Sequence, residues 1–213
     1  MEFQKINEKI NYFNQDLTDD FFEIYTKSSL LAVDTEAMGL VHGRDRLCLV
    51  QICNEDNITS CIRIEKGQTT SKNIRKLFEN TEITKIFHFA RFDIAALKCN
   101  LGINTQNIFC TKIASKLART YTNKHGLKDL LNELLGVEID KSSQCSDWGK
   151  TETYSEDQLS YAANDVKFLI PAMRELHIIL KREGRYNLAK QCFATIHVHS
   201  ELDIQKFVHI FEH

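Results

Sequence analysis

Asp34-Thr35-Glu36 follows directly on the apolar run Leu30-Leu31-Ala32-Val33. In an extended strand, residues two apart share a face, so both carboxylates project together while Val33 and Thr35 point the other way. Two carboxylates side by side repel unless a cation lies between them, and a hard divalent ion with oxygen ligands meets that need. An acidic strand end facing solvent accounts for the same residues without any ion. A second pair, Tyr161 and Asp165, is four apart in a helical pattern that starts near Ser155, so the two lie on one helix face. Ser155 and Gln158 have the spacing of a capping box. Leu159, Ala162, Val166, Leu169 and Ile170 fill the adjoining arc, which puts the Tyr–Asp pair at the rim of the apolar stripe. There a carboxylate can meet the sheet or simply lie on the helix surface. A third candidate, Asp93, ends His88-Phe89-Ala90-Arg91-Phe92-Asp93 at a strand-to-helix transition, where a helix N-cap and a functional carboxylate are equally good readings.

These groups need elements to hold them. Leu30 to Asp34, Leu47 to Ile52, Ile58 to Ile64 and Ile83 to Phe89 read as strands, the second and third separated by the turn formers Asn54-Glu55-Asp56-Asn57. Helical patterns cover 71–79, 91–100, 111–119, 126–135 and 155–181, the last carrying the lone proline, Pro171, which should kink or divide it. The alternation predicts an α/β sheet flanked by helices. No repeat, low-complexity linker or internal boundary interrupts the chain, so residues 1–213 read as one domain. The segment 189–213 is an extension whose Phe193, Ile196, Val198, Phe207, Val208, Ile210 and Phe211 predict docking on the core or on a neighbouring subunit.

Composition narrows the class. With 43% hydrophobic residues and a net charge of −2, disorder is excluded. No apolar run approaches the roughly 20 residues that span a bilayer, and the first residues lack a signal-peptide core, so a soluble, cytoplasmic protein without membrane association is expected. Seven cysteines, with no CxxC, fit buried thiols in a reducing compartment, and Cys48 and Cys53 should lie on opposite strand faces. Between Glu82 and Asp129 the only acid is Asp93, against Lys85, Arg91, Lys98, Lys112, Lys116, Arg119, Lys124 and Lys128. That span is either a solvated helical face or a phosphate-facing surface with one carboxylate placed in it. A net charge of −2 argues against a long nonspecific nucleic-acid groove. The glycine-rich dinucleotide loop, the phosphate loop and the GxSxG elbow are all absent. His197 and His199 could share a strand face, but with no third ligand nearby they read as surface histidines.

Taken together, VDTEAMGL, HFARFD and YAANDVKFL resemble the three motifs of the ribonuclease D-like branch of the DEDD 3′–5′ exonucleases, the type with tyrosine in the third motif. The resemblance covers about 30–181 and includes Gln144-Cys145-Ser146-Asp147-Trp148. Arg44-Asp45-Arg46-Leu47-Cys48, the run from Lys85 to Asp93 and the run from Cys110 to Leu117 further resemble the compact bacterial members that degrade very short RNAs, above all dinucleotides. The resemblance implies a ribonuclease H-like mixed sheet flanked by helices, the DEDD exonuclease fold. It implies two divalent metal ions, Mg²⁺ or Mn²⁺, held by Asp34, Glu36, Asp93 and Asp165, with Tyr161 orienting the attacking water. It also implies a homo-oligomer, a ring-like octamer.

The implied substrate is short RNA, dinucleotides included. Met38-Gly39-Leu40 follows the carboxylates, and Gly39 permits a tight backbone approach. By resemblance Leu40 wedges against or between terminal bases; as a plain residue it caps the core equally well. His88 and Arg91 could contact the substrate backbone, and Lys112, Tyr121 and His125 could hold its 5′ phosphate, while surface or packing duty explains each of the five as well. Trp148 is a stacking platform or, as lone tryptophans more often are, part of the core. A broader exonuclease trimming structured RNA or DNA, and a non-catalytic nucleic-acid-binding module, are the alternatives.

Overall fold

A computed structural model describes residues 10–139, 146–149, 153–207 and 210–211. Among the described residues six strands form one mixed sheet: β1 (Asn11–Asn14), β2 (Leu30–Ala37), β3 (Leu47–Asn54), β4 (Thr59–Arg63), β5 (Thr84–Phe87) and β6 (Ile108–Cys110), in the order β1-β4-β3-β2-β5-β6. β2, β3 and β4 are antiparallel neighbours, while β5 and β6 continue from β2 in parallel and β1 runs parallel to β4. β3, flanked on both sides and covered on both faces, is buried at every position, which is why it reads as a continuous apolar run.

The helices are α1 (Asp19–Thr26), α2 (Lys72–Glu79), α3 (Ala90–Leu101), α4 (Thr111–Ala118), α5 (Leu127–Leu135), α6 (Glu156–Lys167), α7 (Leu169–Arg182), α8 (Tyr186–Ala194) and α9 (Ile196–Ile204). The main core gathers Leu31, Val33, Ile52, Ile86, Phe87, Ile94 and Leu176. A smaller cluster of Cys48, Leu49, Cys61, Trp148, Tyr154, Tyr161 and Ala162 lies elsewhere in the molecule, with Tyr161 and Ala162 on α6. Cys53 belongs to the first cluster and Cys48 to the second. None of the described helices is long and apolar enough to cross a membrane.

The expected helix over 155–181 is two helices that meet at Phe168. Pro171 is therefore the third residue of α7, where a backbone N–H has no intrahelical acceptor to lose. Ser155 and Gln158 form the expected capping box at the start of α6. The extension packs back on the body: Phe193 of α8 meets Phe109 of β6 with ring centroids 4.7 Å apart. α9 is tied to α3 by Arg91–Asp203 and Lys98–Glu201 and by Ser200 donating to the Arg91 carbonyl at 2.9 Å. His197 and His199 lie within α9. Two residues apart on a helix is about 200° of rotation, so the shared face expected of a strand does not exist.

Candidate active site

β2 carries Asp34 and Glu36 near its C-terminal end, and α6 brings Asp165 to them. One carboxylate oxygen from each of Asp34, Glu36 and Asp165 lies within 4.8 Å of the others, a group able to hold a metal ion among the described residues. The local register helps. Between Glu36 and Ala37 the β2–β3 pairing shifts, with Glu36 opposite Leu49 and Ala37 opposite Leu47, so Cys48 is the extra residue of a bulge beside the carboxylates. Such a bulge twists the ladder and re-aims the side chains at its rim.

Tyr161, one helical turn before Asp165, is buried in the smaller cluster. Its hydroxyl is hydrogen-bonded to Asp165, and its pKa is raised first by burial, then by the charges of Asp165, Glu36 and Asp34. All of these effects oppose ionisation, so the phenol stays a donor. Trp148 packs against Tyr161 and Tyr154 and is 2% exposed, so it is core and not an open platform. The stretch Gln144-Cys145 lies outside the described residues.

Asp93 is not the helix N-cap that its context allows. That position is Phe89, which takes a left-handed φ of 72°, and Asp93 lies inside the first turns of α3. Its carboxylate accepts a 2.7 Å hydrogen bond from the Thr35 hydroxyl. Burial pushes its pKa up to about 7, with the Thr35 hydroxyl opposing. Asp93 is thus tied to β2 at Thr35, between the two acids, and lies outside the group of three carboxylates. Sequence reasoning left Thr35 idle; its period-two position between the two acids was the available signal.

The residues expected to touch substrate fare differently. Leu40 is 81% exposed and Met38 56%, so neither caps the core. Gly39 is required for a local reason: a Cβ there would collide with the Asp45 carboxylate, which accepts from the Val41 N–H at 2.9 Å and pairs with Arg44. Asp45 thus holds the 38–46 loop and presents Leu40, a role not visible in its sequence context. His88 Nδ1 lies 2.9 Å from the Thr111 hydroxyl. Arg91 forms a two-pronged ion pair with Asp203, 2.6 Å at each contact. Lys112 sits 4.3 Å over the Phe89 ring. Tyr121 is exposed and donates to Glu133, while His125 Nδ1 meets the Ser115 hydroxyl at 2.9 Å. Burial, then Arg119, lowers the His125 pKa. The carboxylate group thus lies on β2 and α6, and these residues on the 38–46 loop, the start of α3, α4 and the loop before α5.

A family profile described as 3′-5′ exonuclease matches residues 10–182. The chain belongs to that 3′–5′ exonuclease family. Within it the likeness is to nano-RNase C: the NrnC structure of Brucella melitensis is 45% identical over 97% of this chain and 100% of that one, with a TM-score of 0.91. The same protein bound to pGG superposes with a TM-score of 0.90 at 45% identity, covering 96% and 98% of the two chains. Its form with bound Mg²⁺ gives 0.90 at 44% identity, covering 97% of this chain and 100% of that one. Ribonuclease D of Acidiphilium cryptum is 32% identical over 155 residues, 73% of this chain and 39% of that protein. The chain thus spans about two fifths of the curated ribonuclease D relatives it matches.

Proposed function

We propose that this protein is a metal-dependent 3′–5′ exoribonuclease that hydrolyses dinucleotides and other short RNAs to 5′-mononucleotides. The observation that carries the reading is the convergence of Asp34, Glu36 and Asp165 within 4.8 Å, a set of hard oxygen donors suited to Mg²⁺ or Mn²⁺ and not to zinc. A pair of divalent ions in such a site supplies a hydroxide at neutral pH and neutralises charge on the phosphate and the leaving oxygen. In this chain Asp34, Glu36 and Asp165 would hold one ion, and Asp93, with Asp34, would serve a second, directly or through water. The new P–O bond forms to the water oxygen and the bond to the 3′ oxygen breaks, leaving a 5′-mononucleotide and a shortened chain with a free 3′-hydroxyl. Tyr161, kept protonated by burial and by three carboxylates, orients that water and does not deprotonate it.

Short substrates are favoured by the exposed Leu40 placed just past the carboxylates, where it wedges a terminal base. His125, Lys112 and Tyr121 grip the 5′ phosphate, and His88 and Arg91 border the backbone. The likeness to a protein solved with pGG and with Mg²⁺ supports both the substrate length and the ion. Exposed Leu188, Val198, Phe207, Ile210 and Phe211 on the C-terminal segment support a homo-oligomer, an octamer by that same likeness, in a reducing cytoplasm. A monomer by light scattering at micromolar concentration overturns the assembly. The activity is tested by a time course on 5′-phosphorylated RNAs of two, three, seven and about twenty nucleotides with Mg²⁺, Mn²⁺ or chelator. Fastest loss of the dinucleotide, abolished by chelator, is expected. Similar rates at all lengths would instead make the protein a general trimming exonuclease.

A further inference from the structure

β3 is buried along its whole length, yet one of its central side chains is a primary amide. Gln51 has no exposed surface, and neither its Nε2 nor its Oε1 has a hydrogen-bond partner among the described residues. An amide group buried without a partner keeps its full desolvation penalty, which apolar side chains such as its neighbours Val50 and Ile52 do not carry. Packing alone does not account for a glutamine here.

The strand register says what it faces. Gln51 pairs with Asp34 on β2 and with Cys61 on β4, and Cys61 pairs in turn with Tyr12 on β1. Directly paired residues project to the same side of a sheet, so Tyr12, Cys61, Gln51 and Asp34 form one row across four strands, ending at the carboxylate group. A chain of rings accompanies the row: Tyr12 to Tyr154, Tyr154 to Trp148 and Trp148 to Tyr161, with centroids 6.3, 5.5 and 6.3 Å apart. Both the row and the rings end where Asp34 meets Tyr161 and Asp165. Next to Gln51 in the row stands a thiol, a weak partner, on one side and a carboxylate, a strong acceptor, on the other.

We propose that Gln51 is a positioning residue for Asp34, its amide N–H reaching the Asp34 carboxylate through one buried water and so fixing the direction in which that carboxylate meets a divalent ion. Paired Cβ atoms stand about 5 Å apart, within the reach of a glutamine amide. The proposal rests on the reading of Asp34, Glu36 and Asp165 as an ion site. It is tested with Gln51→Met, which keeps the volume and removes the donor, by calorimetric Mn²⁺ titration without RNA alongside thermal unfolding of the metal-free protein. The expected result is an unchanged or higher metal-free melting temperature with Mn²⁺ affinity roughly tenfold weaker or more. Wild-type affinity in the variant overturns the proposal, as does an affinity loss matched by a lower metal-free melting temperature. Should the methionine variant not fold, Gln51→Asn, with its donor one methylene short, should bind Mn²⁺ with reduced affinity, and full wild-type affinity there is the contrary result. A wild-type protein that binds no Mn²⁺ contradicts the ion site itself, whereas equal binding by wild type and variant contradicts the role of Gln51 alone.

Discussion

The carboxylates on β2 and α6 and the basic span between Glu82 and Asp129 are both runs of like charge, built in opposite ways. The carboxylates converge: three residues from two elements point oxygens into one space. The basic residues are dispersed, and several are spent inside the protein. Lys85 is fully buried and donates to the carbonyls of Asn80 and Ile83 at 2.5 and 2.7 Å. Arg91 and Lys98 pair with Asp203 and Glu201 of α9, and the buried guanidinium of Arg119 is held by Glu133, Ser115 and the Lys124 carbonyl. Gathering like charges stores repulsion that an external cation relieves, whereas pairing opposite charges satisfies them internally. The first region is arranged for a ligand, and much of the second for the fold.

That contrast predicts losses of different kinds. Asp165→Asn should retain the fold by circular dichroism and lose activity about a thousand-fold or more; wild-type-like turnover by the folded variant would break the comparison at its acidic end. Glu133→Ala leaves the Arg119 guanidinium buried with two neutral partners, so it should cost stability instead. A loss of about 2 kcal/mol in urea unfolding is expected, below the usual cost for a fully buried pair because Glu133 is partly exposed.

Lys85 gives a pH signature. Burial lowers its pKa to about 8, so between about pH 8 and 10.4 the unfolded chain holds a proton that the folded protein has released. Wild-type stability should therefore rise across that window relative to Lys85→Met, by about 1–2 kcal/mol, as read from unfolding curves of both proteins at each pH. A flat difference would show that this cation is not paying for its burial. The smallest effect belongs to His125→Ala: about fivefold slower dinucleotide cleavage, with a longer RNA nearly unaffected. Equal loss at both lengths would assign His125 to the fold along with Arg119.

The acidic region was legible because its information is local. Asp34 and Glu36 share a strand face at a spacing of two, and Tyr161 and Asp165 a helix face at a spacing of four. The strands and helices that carry them follow from the same periodicities. The basic region was not legible, because its answers lie far along the chain: Arg91 and Asp203 are 112 residues apart, Lys98 and Glu201 103 apart. The short edge strands β1 and β6 were missed for want of length, α1 because its eight residues span barely two turns, and α8 and α9 because the apolar residues of the 189–213 extension carry no clear period. Asp93 looked like a cap since a residue in a left-handed conformation, Phe89, starts α3 earlier than its composition suggests. Gln51 stood unnoticed in an apolar strand; its register opposite Asp34 exists only once β2 and β3 are paired.

The central claim is that Asp34, Glu36 and Asp165 form an ion site, and it is tested most directly by titrating Mn²⁺ calorimetrically into the wild-type protein and into Asp34→Asn without RNA. Saturable binding by the wild type, weakened by about a hundredfold or more in Asp34→Asn, is the predicted result. Equal binding by the two proteins, or none by the wild type, would contradict it.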